Sequence, residues 1–336
     1  MKYFSGIYAF LLAIAVFCLA ACNNETKQGP YDDILTQPPY ASLTDSIRKF
    51  PDRDELYFRR AVLLNKNYYP EPALADFKKA WSLKKEEQYA LGAGTILLNQ
   101  KPDSAISFLN DALKELPRSF LLQLTLARTF EAQKNISAAL DVCENILRAN
   151  PKQMDALVLK ADLLDQQNKT GASIATLEKA YSINQGIEEI DYKLGYKYAF
   201  TKNPKTIAFC DNLLKEDSLN EHAEPLYFKG VYFEKTGDTN KALILFNEAI
   251  IRDYTFIDAY MNKGKILYDM KKYNDAIKTY RLLLNIQSTY SDAYYWLGKC
   301  QEAMGKKEEA RVNYERAYGL DKTLTEAFDA ANRLKN

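Results

Sequence analysis

Few residues in this 336-residue chain are of types that do acid–base, metal or nucleophilic chemistry, and those few are scattered. There is a single histidine, His222. A histidine metal cluster is therefore excluded, and any catalytic triad would have one candidate base. His222 follows Glu221 and precedes Ala223-Glu224, and reads as a surface residue at a helix entrance. Carboxylate pairs such as Glu188-Glu189 also fall where a helix begins, where the macrodipole favours negative charge without any catalytic purpose. No glycine-rich phosphate loop precedes a helix, and no Cys-x-x-Cys occurs. The chain is read as a non-enzyme, with no cofactor and no metal.

One cysteine does stand in a reactive context. Lys2 gives a positive start, Ile7 to Phe17 is apolar, and Leu19-Ala20-Ala21-Cys22 follows. The apolar run is too short to span a bilayer and has the form of a signal peptide. The last four residues resemble the bacterial lipoprotein signal. That resemblance implies removal of residues 1–21, lipidation of Cys22, and a membrane attachment through that lipid. Residues 22–40 then read as the lipidated cysteine and a flexible tether, polar and carrying Pro30, Pro38 and Pro39. Its reach is at most about 60 Å. Asn23, not Asp, follows the cysteine. This favours the periplasmic side of the outer membrane in a Gram-negative envelope.

Aromatic residues are the other chemically suggestive set. Of the 24 tyrosines, none lies between positions 90 and 180, and most lie after 180. Tyrosine is amphipathic and common at interfaces, so their positions depend on which helix faces carry them.

Those faces follow from a repeat. A small residue returns at Ala61, Ala93, Ala127, Ala161, Gly195, Gly230, Gly264 and Gly298, nearly always 34 apart. A second series stands twelve residues later at Ala105, Ala139, Ala242, Ala276 and Ala310. Ala242-Phe246-Ala249, Ala276-Tyr280-Leu283 and Ala310-Tyr314-Ala317 use intervals of four and three, which share one helix face. Short polar turns such as Thr236-Gly237-Asp238 divide the helices. A fixed period in the thirties is the mark of stacked helical hairpins.

This pattern resembles the tetratricopeptide repeat family, over residues 54–322. The resemblance implies an all-α, right-handed superhelical solenoid of about eight helix–turn–helix repeats. A short helix over 41–53 precedes the array and a capping helix over 323–336 closes it, since an end repeat lacks a neighbour to cover it. In the fifth repeat Ile207 stands where a small residue is expected, the second helix starts at Pro204, and one residue is inserted before Gly230. A wider helix spacing and an irregularity over 200–222 are expected. Cys143, Cys210 and Cys300 fall in different repeats, beyond disulfide reach, and read as buried fillers.

In the family the first helix of each repeat lines a groove. By that resemblance the candidate partner-binding residues are Phe58, Tyr192, Tyr196, Tyr227, Met261, Tyr268 and Tyr295. The second position of that helix is acidic in seven copies: Glu55, Glu87, Asp155, Glu189, Glu224, Asp258 and Asp292. Those acids, with Phe58 and Val62, do not supply the basic clamp by which some members hold acidic C-termini. The 45 basic and 44 acidic residues create no global field for nucleic acid, which is not expected as a partner. The expected role is a lipid-anchored extracytoplasmic scaffold binding a protein or peptide in envelope assembly, secretion or motility. The alternative is a glycan- or nutrient-binding lipoprotein using the tyrosine-lined groove.

Overall fold

The computed structural model describes residues 29–335. The signal segment 1–21, Cys22 and the first part of the tether lie outside the described residues. Every regular element among those described is an α-helix, and there are nineteen. None is long and apolar enough to cross a membrane. The chain forms two compact units, the first ending at Ala156 and the second beginning at Leu157.

The first unit opens with α1 (Asp32–Leu35) and α2 (Ala41–Lys49), followed by helix pairs α3 (Asp54–Lys66) and α4 (Pro70–Leu83), α5 (Glu87–Gln100) and α6 (Pro102–Glu115), α7 (Phe120–Ala132) and α8 (Ile136–Ala149). The expected tether ends sooner than its composition suggests. From Tyr31 onward the chain folds against the first repeat, because Tyr40 is an apolar ring with a polar end that finds partners on both counts. Its ring is buried edge-on to Tyr69, 6.1 Å between centroids, and its hydroxyl accepts from Asn67 Nδ2 at 2.7 Å. Buried Arg60 secures the same junction. It holds Asp76 bidentately (2.6 and 2.8 Å) and donates to Thr44 Oγ1 at 2.9 Å, while Thr44 donates to the Leu35 carbonyl at 2.7 Å.

The boundary between units falls within α9 (Met154–Gln166). The second unit continues with α10 (Thr170–Ile183), α11 (Glu188–Phe200), α12 (Lys205–Glu216), α13 (Glu224–Thr236), α14 (Thr239–Arg252), α15 (Ile257–Asp269), α16 (Tyr273–Ile286), α17 (Ser291–Ala303), α18 (Lys307–Leu320) and α19 (Thr325–Arg333). Helix α19 lies on α18 and buries Ala327, Ala330 and Ala331. Phe328 stays largely exposed beside Tyr318.

The small residues sit where helices approach most closely, and several of the glycines face aromatic rings. A Cβ on Gly230 would come 2.6 Å from Phe246 Cε1, and one on Gly298 2.7 Å from Tyr314 Cε1. Both are inside contact distance, so the aromatic rings of α14 and α18 require glycine opposite them. Where the equivalent second-helix residue is Leu109, Cys143 or Leu177, the small residue is Ala93, Ala127 or Ala161, all fully buried. Turns are equally regular. Lys134, Asn168, Lys202 and Lys271 take φ of 56 to 61°, and the next amide N–H bonds back to a carbonyl five residues earlier, as in Asn135 to Phe130 at 2.9 Å. This closes the helix end in the left-handed C-terminal motif.

The fifth repeat departs from expectation in an instructive way. Thr206, not Ile207, occupies the close-approach position, and it is fully buried. Thr206 stands eleven positions after Gly195, where the corresponding residue of other repeats stands twelve after its small residue, so the seam reads Thr206-Cys210-Leu213, with Thr206 and Cys210 fully buried and Leu213 packed against the same core. A hydroxyl-bearing residue of modest size removes the reason for helices α11 and α12 to be wedged apart. The position lost from that spacing, and one more, reappear after α12. There 217–223 form an irregular segment held by Asp217, which accepts from the Glu221 and His222 N–H groups and pairs with Arg252. Cys143, Cys210 and Cys300 are all free and fully buried. Burial pushes the Cys210 and Cys300 thiols up to about 12.

Candidate functional site

The candidate residues divide into an exposed ladder, a capped aromatic cluster and two members that belong to the core. On α11, Tyr192, Tyr196 and Phe200 recur at intervals of four, the spacing that places side chains above one another. Their exposures are 45, 40 and 36 %. The rings stack, with Tyr192–Tyr196 centroids 6.4 Å apart at 15° and Tyr196–Phe200 centroids 4.1 Å apart at 26°. Buried Phe228 of α13 lies beneath, edge-on to Tyr192 at 5.3 Å and to Tyr196 at 6.4 Å. Phe228 fills the space opposite Gly195, where a Cβ would come within 2.7 Å of its ring. That filling holds the two tyrosines out on the surface. Lys235 Nζ stands 5.0 Å from the Phe200 centroid and closes the far end.

Tyr227 and Met261 do not line a groove. Each is only 5 % exposed. Both stand three residues before a close-approach glycine, the same position that leaves Tyr192 exposed, and differ from it in what the neighbouring helices pack against them. Tyr227 is enclosed by Phe228, Phe246 and Phe256, and Met261 belongs to the core cluster around Tyr280. Burial raises the Tyr227 phenol above its ordinary range, helped by the charges of Asp258 and Glu234. Tyr268 and Tyr295 flank Trp296, 5.4 and 6.1 Å away. Lys299 caps all three rings, 4.3 Å from the Trp296 centroid. Each ring of this second cluster thus already has a cation over it. Phe58, in the first unit, is half-buried between Phe77 and Tyr89 and borders a shallow hollow with Glu55, Arg59 and Lys84.

Three of the seven acids at the second helical position, Glu55, Glu87 and Glu189, have structural partners. Glu55 pairs with Arg59 at 2.5 Å and Glu87 accepts from Ser119 Oγ at 2.5 Å. Farther along α9 and α11, Asp162 pairs with Lys193 at 2.6 Å, and Asp165 pairs with Lys197. Glu224 and Asp258 differ: their charges reach the Tyr192 phenol and, with burial as the larger cause, raise it. The ladder therefore has an acidic margin.

Beside the ladder is a cleft of about 340 Å³, formed at the irregular fifth repeat. Its lining combines the apolar Tyr192, Phe228 and Pro225 with the acids Glu188, Asp191, Glu216, Asp217 and Glu224. His222 lies at its edge, exposed, its carbonyl accepting from Arg252 Nη1 at 3.0 Å. No group of three metal-binding side chains occurs among the described residues. Phe200, Phe228, Trp296, Lys299 and the whole cleft escape the sequence reading. Phe200 had a signal, since it continues the four-residue interval from Tyr196. The cleft had a weaker one, the insertion between Gly195 and Gly230.

Comparison with known proteins places the repeats. Models described as tetratricopeptide repeat match residues 124–186 and 291–324, and one described as TPR repeat matches 264–305. A crystal structure of a tetratricopeptide repeat protein from Parabacteroides merdae superposes with a TM-score of 0.57 at 16 % identity, covering 74 % of this chain and 98 % of that one. The DnaJ homolog subfamily C member 7 homolog of Schizosaccharomyces pombe is 23 % identical over 197 residues, 58 % of this chain and 37 % of that protein. Heat shock protein STI1 of Saccharomyces cerevisiae is 30 % identical over 100 residues, 29 % of this chain and 17 % of that protein. The chain thus spans well under half the length of either curated relative. Its fold is that of the tetratricopeptide repeat, and repeats of this kind make protein-binding scaffolds.

Proposed function

From a chain built of tetratricopeptide repeats, we propose a lipid-anchored extracytoplasmic scaffold that holds a partner protein or peptide in envelope assembly, secretion or motility. The observation that supports partner holding is the ladder Tyr192-Tyr196-Phe200, three stacked rings left in solvent on a rigid helix. Core formation does not use these faces, and contiguous exposed aromatics of this kind mark contact surfaces. The ladder is supported from below by Phe228, so its geometry is set before a partner arrives, which lowers the ordering cost of binding.

Anchoring rests on Leu19-Ala20-Ala21-Cys22. With the fold beginning at Tyr31, eight residues separate it from Cys22, a reach of at most about 30 Å. The array would be held close to the membrane, on the periplasmic side of the outer membrane in a Gram-negative cell. Capture of envelope proteins by the full chain and by a Tyr192→Ala/Tyr196→Ala/Phe200→Ala variant tests the binding reading. Loss of a specific protein with the helical circular dichroism signal unchanged is expected. Equal capture by both, or binding only of glycans on an array, would overturn it. Membrane fractionation of Cys22→Ala tests the anchor; retention in the membrane fraction would refute lipidation.

A further inference from the structure

The cleft at the fifth repeat contains a carboxylate with no partner. Asp191 is 9 % exposed, lines the cleft, and its Oδ1 is buried without any hydrogen bond. The acids around it are of two kinds. Asp217 is already matched by Arg252 and by the Glu221 and His222 N–H groups. Glu188, Glu216 and Glu224 have no ion pair among the described residues, and they share the cleft with Asp191. A buried carboxylate without a partner is unfavourable unless a cation or donor completes it. The same cleft is lined by Tyr192, Phe228 and Pro225. Carboxylates that share a cleft with an exposed aromatic ring form an environment that suits a planar, weakly hydrated cation.

We propose that this cleft receives an arginine side chain from the partner polypeptide. This rests on the scaffold reading and names the chemistry that the partner must carry. The guanidinium would lie against the Tyr192 ring and donate to the Asp191 carboxylate, with Glu216 and Glu224 adding field. Arginine is favoured over lysine because its fork can serve two carboxylates while its plane packs on a ring. The cleft opens beside the ladder through Tyr192, which belongs to both. One partner segment can therefore set an apolar stretch on Tyr196 and Phe200 and an arginine in the cleft.

Asp191 titrates high, pushed up to about 6 by burial and then by the Glu216 charge. Other groups facing it are Glu188 and Tyr192 on its own helix, Tyr181 of α10, Asp217 and His222 of the irregular segment, and Glu224 of α13. Arginine binding should thus weaken as pH falls through about 6, where Asp191 takes up a proton.

The test uses the full chain and fluorescein-labelled peptides of alternating glycine with arginine, lysine or citrulline, titrated by fluorescence anisotropy. The arginine peptide is expected to bind, the lysine peptide more weakly, and the uncharged citrulline peptide not at all. Asp191→Asn, which keeps the shape, is expected to lower arginine-peptide affinity about tenfold or more. Equal affinity for wild type and Asp191→Asn would overturn the proposal, as would absence of arginine-peptide binding. Stoichiometric displacement of the peptide by calcium ions would assign the cleft to a metal and overturn it too. If the arginine result fails while the aromatic triple variant still loses its partner, only the cleft assignment falls.

Discussion

Replacing Asp191 by Asn should stabilise the free protein, and the size of the effect can be worked from the structure. Asp191 titrates at about 6 in the fold against 3.8 in an ordinary carboxyl. That difference is worth about 3 kcal/mol at 1.36 kcal/mol per pH unit. Its sign is destabilising at neutral pH. The folded state binds the proton more tightly than the unfolded one, so stability is highest below the unfolded value and falls as pH rises through about 6. Asparagine removes the charge but leaves an amide oxygen without a partner, which returns about 1 kcal/mol of the gain. A net stabilisation of about 2 kcal/mol is expected at about pH 7.5; near pH 4, where the charge penalty falls to about 0.5 kcal/mol, the variant loses this advantage and becomes slightly the less stable of the two. For a unit of this size the gain at about pH 7.5 raises the melting temperature by about 4–8 °C. Thermal melts of both proteins followed by circular dichroism at the two pH values measure this. An asparagine variant no more stable at pH 7.5, or a gap that does not change with pH, would refute the argument that Asp191 is an uncompensated buried charge.

Further expectations follow from the repeat itself. Gly230→Ala should cost about 1–3 kcal/mol through overpacking against Phe246, and adding Phe246→Leu should recover part of that, since leucine faces alanine in the equivalent seam of the second repeat; a double-mutant cycle on denaturation free energies reads the coupling. Lys134→Gly and Lys271→Gly should each add up to about 1 kcal/mol by relieving positive φ, seen as a higher denaturation midpoint. Asp76→Ala leaves Arg60 buried without its carboxylate and should cost about 3–5 kcal/mol, with hydrogen exchange accelerated in α2 and α3.

The repeat register was legible because it rests on sterics that local sequence must satisfy: a small residue wherever two helix backbones meet. The choice between glycine and alanine was not, because it answers a side chain contributed by another helix, as Phe228 answers Gly195. The same limit explains the site. Position along the helix picks out Tyr192, Tyr227 and Met261 alike, yet Tyr192 is exposed and the other two are buried. Whether a residue at that position is exposed depends on what the next helix presents. Thr206 in place of Ile207 shows how one position lost between two close-approach residues shifts a seam and refills it with a different side chain. The cleft came from the compensating insertion, and no local motif announces a cavity made by the spacing of two helices.

Photocrosslinking in the cells that make the protein tests the binding face most directly. A benzoylphenylalanine at position 196, on the ladder, is compared with one at position 244, where Ile244 is exposed on α14. The expected result is a protein adduct at 196 and none at 244, reduced by Asp191→Asn, with the captured peptide carrying an arginine beside an apolar stretch. Adducts at 244 with none at 196 would contradict the assignment of the partner to the ladder and its cleft.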